Sequence, residues 1–186
     1  MKEKTKICVL LGENFETIEY VVPVDIWRYA KLEVKTVSCT GSLQVRGAKG
    51  ITILADEHLQ DAEVTSDVLF IPGGSGFEIL QKNSLVISKI QAYDREKKLI
   101  AAICAAPILL FEAGVLQGRR HTAYPCKELP LADHSMPVVW DQHILTGRDP
   151  GAVFLFALQL LKILNLHHRL KQIVEGLGLG GIWRLR

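Results

Sequence analysis

Short runs of apolar residues recur along the whole chain, and most of them stop at a glycine, a proline or a polar residue. Such runs are typical of strands in a sheet that is covered on both faces. The segments predicted as strands are 7–11, 33–39, 51–55, 68–74, 99–104, 121–124, 136–140 and 143–147, of which 121–124 is the weakest.

Between several of these runs, apolar residues return with the period of a helix that buries one face. A longer apolar stretch at 152–166 is interrupted by Gln159 and Lys162 and is shorter than the ~20 residues needed to cross a bilayer, so it predicts a buried helix. The residues on the other predicted helix faces are Val21, Val24, Trp27 and Tyr29, then Ile79, Val86, Ile87 and Ile90, and finally Ile108 to Val115.

Alternating strands and helices predict a parallel sheet, because neighbouring parallel strands need a crossover and the crossover is usually a helix. The predicted fold class is therefore α/β, a doubly wound three-layer α/β/α sandwich. The segment 43–59 carries Gly47 and Gly50 but has no helical period, so we expect an antiparallel hairpin there.

Composition and charge narrow the possible classes of protein. A chain of 186 residues with 48% hydrophobic and 23% charged residues is ordinary for one globular domain, here 1–186. The formal net charge is only +2 and no long block of one sign occurs, so neither a nucleic-acid partner nor a membrane partner is expected. The apolar run near the N-terminus is too short for a signal peptide, which favours the cytoplasm.

The segment 176–186 contains four glycines and admits two interpretations. It is either a loosely ordered tail or a cover for an apolar patch on a partner subunit. In the second case the covering residues are Leu177, Leu179, Ile182 and Trp183.

Cys104 stands where a predicted strand gives way to a predicted helix. Pro107 suits the first turn of that helix and Gly114 suits its end. Ligands of open parallel sheets bind beyond the carboxyl ends of the strands, and a helix start favours a thiolate over a thiol. The sequence thus indicates a nucleophile at Cys104, with a buried structural cysteine as the alternative.

Two further segments surround the same predicted edge of the sheet. Gly73 and Gly74 end another strand, and the backbone N–H groups of Gly74 and Ala105 are candidates for an oxyanion hole, although a plain loop is the alternative. Glu13, Glu16 and Glu19 follow the first strand. One of them near a thiolate would have its pKa raised and act as a proton donor, and the spacing alone does not choose among them.

The motifs "NFETIEYVVPVD", "GAKGITILAD", "FIPGGSG", "AAICAAP", "HTAYP" and "ILTGRDPGAVFLFAL" resemble, in order and spacing, the ThiJ/PfpI superfamily. The resemblance is strongest to the branch of the parkinsonism-associated deglycase, which is glyoxalase III-like. It covers about residues 7 to 165 and implies a flavodoxin-like fold, related to the class I glutamine amidotransferases, a homodimer and no cofactor or metal.

The resemblance also assigns roles. It places the nucleophile at Cys104, the partner carboxylate at Glu19, the oxyanion amides at Gly74 and Ala105, and a site arginine at Arg148. Gly73 and Tyr124 are further candidate binding residues, Tyr124 standing where members of that branch can carry a histidine.

The chain departs from the protease-like and amidotransferase-like relatives, which place a histidine directly after the cysteine. Ala105 occupies that position here, so peptide or amide hydrolysis is not expected. We interpret His121 as structural and Cys126 as a bystander, although each could lie near the pocket. Cys8 and Cys39 are expected in the core, and the four cysteines lack the spacing of a zinc site.

Two functions follow from these residues. The first is a glyoxalase or deglycase that acts on small α-oxoaldehydes, or on their adducts, through Cys104 and Glu19. The alternative is a redox-sensing or chaperone-like stress protein in which Cys104 is oxidised. A role in thiazole or thiamin synthesis has no residue in its support.

Overall fold

A mostly parallel sheet organises the chain in this computed structural model, which describes residues 5–62 and 66–184. The strands are β1 (Lys6–Leu11), β2 (Glu33–Ser38), β3 (Gln44–Arg46), β4 (Thr52–Leu54), β5 (Glu57–His58), β6 (Val68–Ile71), β7 (Leu99–Ile103), β8 (Val138–Asp141) and β9 (Ile144–Gly147). The helices are α1 (Thr17–Tyr29), α2 (Phe77–Gln81), α3 (Ser84–Arg95), α4 (Pro107–Glu112), α5 (Val153–Ile163), α6 (His167–Gly176) and α7 (Gly180–Arg184), with a 3₁₀ turn at Pro150–Ala152 before α5.

The central sheet has the strand order β5-β2-β1-β6-β7-β9-β8. Every neighbouring pair is parallel except β8 and β9. The chain adds strands on one side of β1 and then on the other, so the direction of winding reverses between β1 and β6. This reversal is where open α/β sheets bind ligands, beyond the carboxyl ends of the strands. The three-layer α/β/α sandwich is confirmed.

The two faces of the sheet carry separate apolar cores, because strands buried on both sides need a helical layer on each. One core packs β-strand side chains against α1, α5 and α6, and its centre is Phe70 between Trp27 and Phe156, with ring centroids 4.9 and 5.7 Å away. The opposite core packs α3 and α4 around Tyr93 and Leu109. Both layers thereby fix the carboxyl ends of β1, β6 and β7 relative to one another.

The predicted hairpin at 43–59 is confirmed, since β3 and β4 pair antiparallel from Gln44↔Leu54 to Arg46↔Thr52. The predicted strand at 121–124 is wrong. There the amide of Thr122 donates to the side-chain Oγ1 of Thr146 at 2.9 Å rather than to a neighbouring strand. Because this amide is bonded to a side chain, it does not take part in the backbone hydrogen bonds that would define a strand.

The last two strands form an antiparallel hairpin instead of a strand–helix–strand unit. Val138 pairs with Gly147 and Asp141 pairs with Ile144, and Gln142 turns the chain with a φ of 55°. Two apolar runs in succession do not by themselves show whether the strands are parallel or antiparallel. The antiparallel pairing of β8 and β9 was therefore not predicted from the sequence.

Two helix predictions need correction. Val21 and Tyr29 of α1 are 43% and 53% exposed, whereas Tyr20, Val24 and Trp27 form the buried face. The segment predicted as one helix around Ile79 to Ile90 is two helices, α2 and α3. Asn83 separates them, because its side chain caps α3 by accepting from the amide of Leu85 at 3.0 Å.

The segment after α6 continues into α7. Leu179 is buried, and Ile182 and Trp183 pack against the core that contains α5 and α6. Residues 185–186 of the predicted tail lie outside the described residues. Contact of this segment with a partner, and a single domain over 1–186, stay predictions. Within the described ranges, no helix is both long and apolar enough to cross a membrane.

Candidate active site

Cys104 occupies a strained turn directly after β7. Its φ is 64°, in the left-handed region that few residues other than glycine adopt. Two backbone hydrogen bonds hold the turn: the Cys104 amide donates to the carbonyl of Gly147 at 2.9 Å, and the Cys104 carbonyl accepts from the amide of Tyr124 at 2.8 Å. The strand-to-helix turn predicted from Pro107 is therefore present, and it leaves the thiol half-buried at the carboxyl edge of the sheet.

Glu19 is the carboxylate that lies beside this thiol. It sits in the first turn of α1 and is completely buried. Its Oε2 accepts from the amide of Gly73 at 2.9 Å, while its Oε1 has no hydrogen-bond partner in the described part of the chain. Burial raises the pKa of Glu19 to about 7, against smaller opposing effects from the Cys104 thiol and the Gly73 amide.

The thiol and the carboxyl are electrostatically coupled. Burial, followed by the negative charge of Glu19, raises the pKa of Cys104 well above its ordinary value. The amides of Ala105 and Gly74 donate toward the sulfur and act in the opposite direction. The expected stabilisation of the thiolate by the helix start is thus outweighed, first by burial and then by the charge of Glu19. Because each group affects the pKa of the other, the Cys104 thiol and the Glu19 carboxyl titrate as a coupled pair rather than independently.

Glycine is required where the loop after β6 crosses this pair. A Cβ added at Gly73 would lie 2.6 Å from Oε2 of Glu19 and 2.7 Å from Cβ of Cys104. Gly74 has a φ of +99°, and a Cβ there would lie 2.4 Å from the amide nitrogen of Glu16. The two glycines allow the backbone to approach the pair closely, so that the Gly73 amide donates to Glu19 and the Gly74 amide faces the sulfur.

The other two glutamates of the sequence motif point toward the β3–β4 hairpin. Oε1 of Glu13 accepts from the amide of Arg46 at 3.4 Å, and Oε2 of Glu16 lies 3.9 Å from Nζ of Lys49. The side chain of Glu16 makes no hydrogen bond to the pair among the described residues, and its charge contributes to the raised pKa of Glu19. Glu19 is therefore the glutamate that the fold brings to Cys104.

Arg148 and Tyr124 lie near the site in different ways. The Arg148 side chain donates to Oδ2 of Asp149 at 2.7 Å and to the carbonyl of His134 at 3.0 Å, so it braces the surrounding loops. Tyr124 contacts Cys104 through its backbone, and the residue is 53% exposed. The sequence reasoning missed Asp149, whose charge also raises the pKa of Glu19. Its signal was the Asp-Pro pair that opens the 3₁₀ turn, where Asp149 accepts from the amide of Ala152.

The remaining candidates lie in the walls of the fold. His121 is buried, with Nδ1 3.0 Å from the carbonyl of Arg119. Cys126 is half-buried against the core around α3 and α4. Burial raises the pKa of Cys8 to about 11 and that of Cys39 to about 12. Among residues 5–62 and 66–184, no group of three or more His, Cys, Asp or Glu side chains is arranged to hold a metal.

Comparison with known proteins gives a consistent set of relatives. Residues 5–163 match the DJ-1/PfpI family. The chain is 31% identical to Protein dj-1beta of Drosophila melanogaster over 91% of its own length and 94% of that protein. It is 33% identical to the Parkinson disease protein 7 homolog of Danio rerio over 83% and 86% of the two chains. The solved structure of oxidized Toxoplasma gondii DJ-1 superposes with a TM-score of 0.88 at 32% identity, covering 93% of this chain and 97% of that one.

Proposed function

Because the chain belongs to the DJ-1/PfpI family, we propose that it is a cysteine-dependent enzyme of the glyoxalase or deglycase type. Its substrates are small α-oxoaldehydes such as methylglyoxal, or the adducts these form with amines and thiols. The single observation that carries the proposal is the coupled pair of the Cys104 thiol and the buried Glu19 carboxyl, whose pKa lies near 7.

The first step is addition of the sulfur to the aldehyde carbon. The Glu19 carboxylate takes the thiol proton as the S–C bond forms, and the same carboxyl returns the proton to the new oxygen to give a hemithioacetal. A pKa near neutrality suits a group that must both accept and donate a proton in one cycle. The amides of Gly74 and Ala105 donate toward the sulfur, and in this proposal they stabilise the neighbouring oxyanion before it is protonated.

The second half moves a hydrogen along the substrate. Glu19 removes the proton from the former aldehyde carbon and delivers it to the adjacent carbon. The hydroxyl on the first carbon loses its proton as that carbon becomes the thioester carbonyl, and this balances the proton that the keto oxygen takes up as it becomes a hydroxyl. Water then cleaves the thioester, which releases lactate and regenerates the thiol. The sum is methylglyoxal plus water giving lactate, so no external oxidant or reductant is consumed.

The site fits this chemistry better than peptide hydrolysis. A cysteine protease needs a histidine that takes the thiol proton and later protonates the leaving amine. Ala105 replaces that histidine, and the buried His121 faces the carbonyl of Arg119. A buried carboxyl with a pKa near 7 is suited to addition to an aldehyde carbonyl, where no amide bond is cleaved.

Lactate formation tests the proposal. Methylglyoxal is supplied to the full chain, and lactate is followed by proton NMR for the parent, for Cys104→Ala and for the control Cys126→Ala. We expect activity in the parent and in the control but not in Cys104→Ala, because the sulfur forms the covalent bond. Lactate production by Cys104→Ala at the parent's rate would refute the proposal.

A redox-sensing role is a second candidate, and one observation favours it. The Toxoplasma gondii relative was solved in a form described as oxidized. Cys104 is half-buried at the sheet edge, and a protonated Glu19 could donate to the oxygen of a sulfinate on it. In this case oxidation of Cys104 is the signal and turnover is secondary.

We also propose that the protein is a cytoplasmic homodimer that needs no cofactor. Two apolar side chains on α1, Ile18 and Val21, are 44% and 43% exposed, which supports a role for this helix in subunit contact. Sedimentation velocity on the parent and on Val21→Lys tests this: a dimer that dissociates in the variant is expected, and a monomeric parent would contradict it.

A further inference from the structure

The outer edge of the sheet is formed by β8, whose described strand neighbour is β9 alone. In an antiparallel pair, alternate residues direct their backbone groups toward the partner. The amide of Arg148 donates to the carbonyl of Pro137 at 2.9 Å, so Pro137, Val139 and Asp141 face β9. The N–H and C=O groups of Val138 and Trp140 therefore face outward, and they have no hydrogen-bond partner among the described residues.

A cavity of about 660 Å³ follows this edge. Its walls come from both helical layers, with Leu155 and Gln159 of α5 on one side and Leu131 of the loop after α4 on the other. Three side chains along it are apolar and open to solvent: Leu131 is 87% exposed, and Met136 and Trp140 are 47% exposed each. The cavity is in the size range of binding sites and lies apart from Cys104.

Two buried polar atoms in the cavity wall lack partners. These are Nε2 of His121 and Oε1 of Gln159, both in residues that line the cavity, and neither atom has a hydrogen-bond partner within the described ranges. Natural edge strands are usually protected by charged side chains or bulges. Neither position whose backbone groups face outward carries a charge: Val138 is buried, and Trp140 is 47% exposed. The unpaired edge therefore opens to solvent mainly at Trp140.

We propose that the β8 edge binds an extended peptide segment of a partner protein, which adds as a further strand and places apolar side chains in the cavity. The outward groups of Val138 and Trp140 are two residues apart, and an extended backbone has the spacing that satisfies both. The alternate side chains of such a peptide would lie against Leu131, Met136 and Trp140, which are exposed and apolar. A second copy of this chain is the other possible occupant of the edge, and the test below separates the two.

The test uses a display library of random peptides of about twelve residues, panned on the full chain. Enriched peptides are synthesised, and their Kd is measured for the parent and for Val138→Pro. Proline at this position removes an outward N–H and leaves the bonds to β9 in place. We expect enriched peptides with alternating apolar residues, at least about tenfold weaker binding to the variant, and slower amide exchange at Val138 and Trp140 in the complex.

Urea unfolding first establishes that Val138→Pro folds, and Trp140→Lys, which places a charge at the edge, serves as the second variant. Phe111→Ala, at an exposed site on α4, is the matched control and should bind as the parent does. Equal affinity of the enriched peptides for the parent and both edge variants would overturn the proposal. So would a parent dimer that the edge variants dissociate, because the occupant would then be a second copy.

Discussion

At the scale of single residues, the buried carboxyl of Glu19 is the group on which the proposed chemistry depends. It is held by one amide, that of Gly73, and by its position under the strained turn of Cys104. Because burial is the largest cause of its raised pKa, the carboxyl retains its proton up to near-neutral pH.

Replacement of Glu19 by glutamine should remove proton transfer and preserve the shape of the site. We expect a loss of ~10²- to 10⁴-fold in kcat/KM for methylglyoxal, since this is the usual contribution of a positioned acid-base group. Glu16→Gln is the control, because Glu16 points toward Lys49. Steady-state kinetics on both variants checks the prediction, and greater damage from Glu16→Gln would show that the wrong glutamate has been assigned.

The same carboxyl predicts how stability depends on pH. The pKa of Glu19 is about 7 in the folded chain against an ordinary 4.5, so between these values the folded state binds more protons than the unfolded state. The free energy of unfolding therefore falls as pH rises through this window, by on the order of 3 kcal/mol from this group. Urea unfolding between about pH 5 and pH 8 should show a flatter dependence for Glu19→Gln, and identical slopes would contradict the raised pKa.

The residues of the candidate site were only partly predictable from the sequence. Cys104 followed from a strand-to-helix turn, but the choice of Glu19 needed the family resemblance, because three glutamates within seven positions carry the same local signal. The pKa of Cys104 was expected to fall and instead rises, since burial and the facing carboxylate depend on packing that no local pattern contains.

Loops at the ends of β1, β6 and β7 assemble the site at the scale of elements. Glu16 donates its amide to the carbonyl of Gly73 at 2.8 Å, and the amide of Gly76 donates to the carbonyl of Asn14 at 3.3 Å. These bonds join the loop after β1 to the loop after β6, so the strand order directly determines which side chains meet.

The close approach of the loop after β6 predicts the effect of Gly73→Ala. The added methyl group would overlap Glu19 and Cys104, so we expect a loss of about 1–3 kcal/mol in the free energy of unfolding together with reduced activity. Gly41→Ala is the control, because a Cβ there meets no atom within 4 Å. Urea unfolding and methylglyoxal kinetics on both variants provide the measurement. Parent-like values for Gly73→Ala would mean that the loop is not tightly packed.

Elements were predicted well where one apolar run corresponds to one buried strand, as at 7–11 and 99–104. Prediction failed where polar contacts decide the structure. Asn83 divides a helical pattern by capping, and Thr122 bonds to a side chain of β9 rather than to a strand. In both cases the structure depends on which atom accepts the hydrogen bond of one backbone amide. The pattern of apolar residues contains no information about that acceptor.

At the scale of the whole molecule, the four cysteines lie in different environments. The order in which they oxidise therefore tests the redox-sensing function. Cys8 lies in the core, whereas Cys104 is half-buried at the carboxyl edge of the sheet, so peroxide reaches Cys104 more easily than Cys8. If Cys104 is a sensor, graded peroxide should add about 32 Da to its peptide before the Cys8, Cys39 and Cys126 peptides change. Less of this product should persist in Glu19→Ala, and uniform oxidation of the four peptides would argue against sensing.

The central claim is that Cys104 and Glu19 act as one catalytic unit, and a double-mutant cycle tests it most directly. kcat/KM for lactate formation from methylglyoxal is measured for the parent, Cys104→Ala, Glu19→Gln and the double variant. Residues that act as a unit are not additive, so the account predicts that adding Glu19→Gln to Cys104→Ala causes no further loss beyond a few-fold. Losses that multiply in the double variant, or a Cys104→Ala variant that retains the parent's rate, would contradict it.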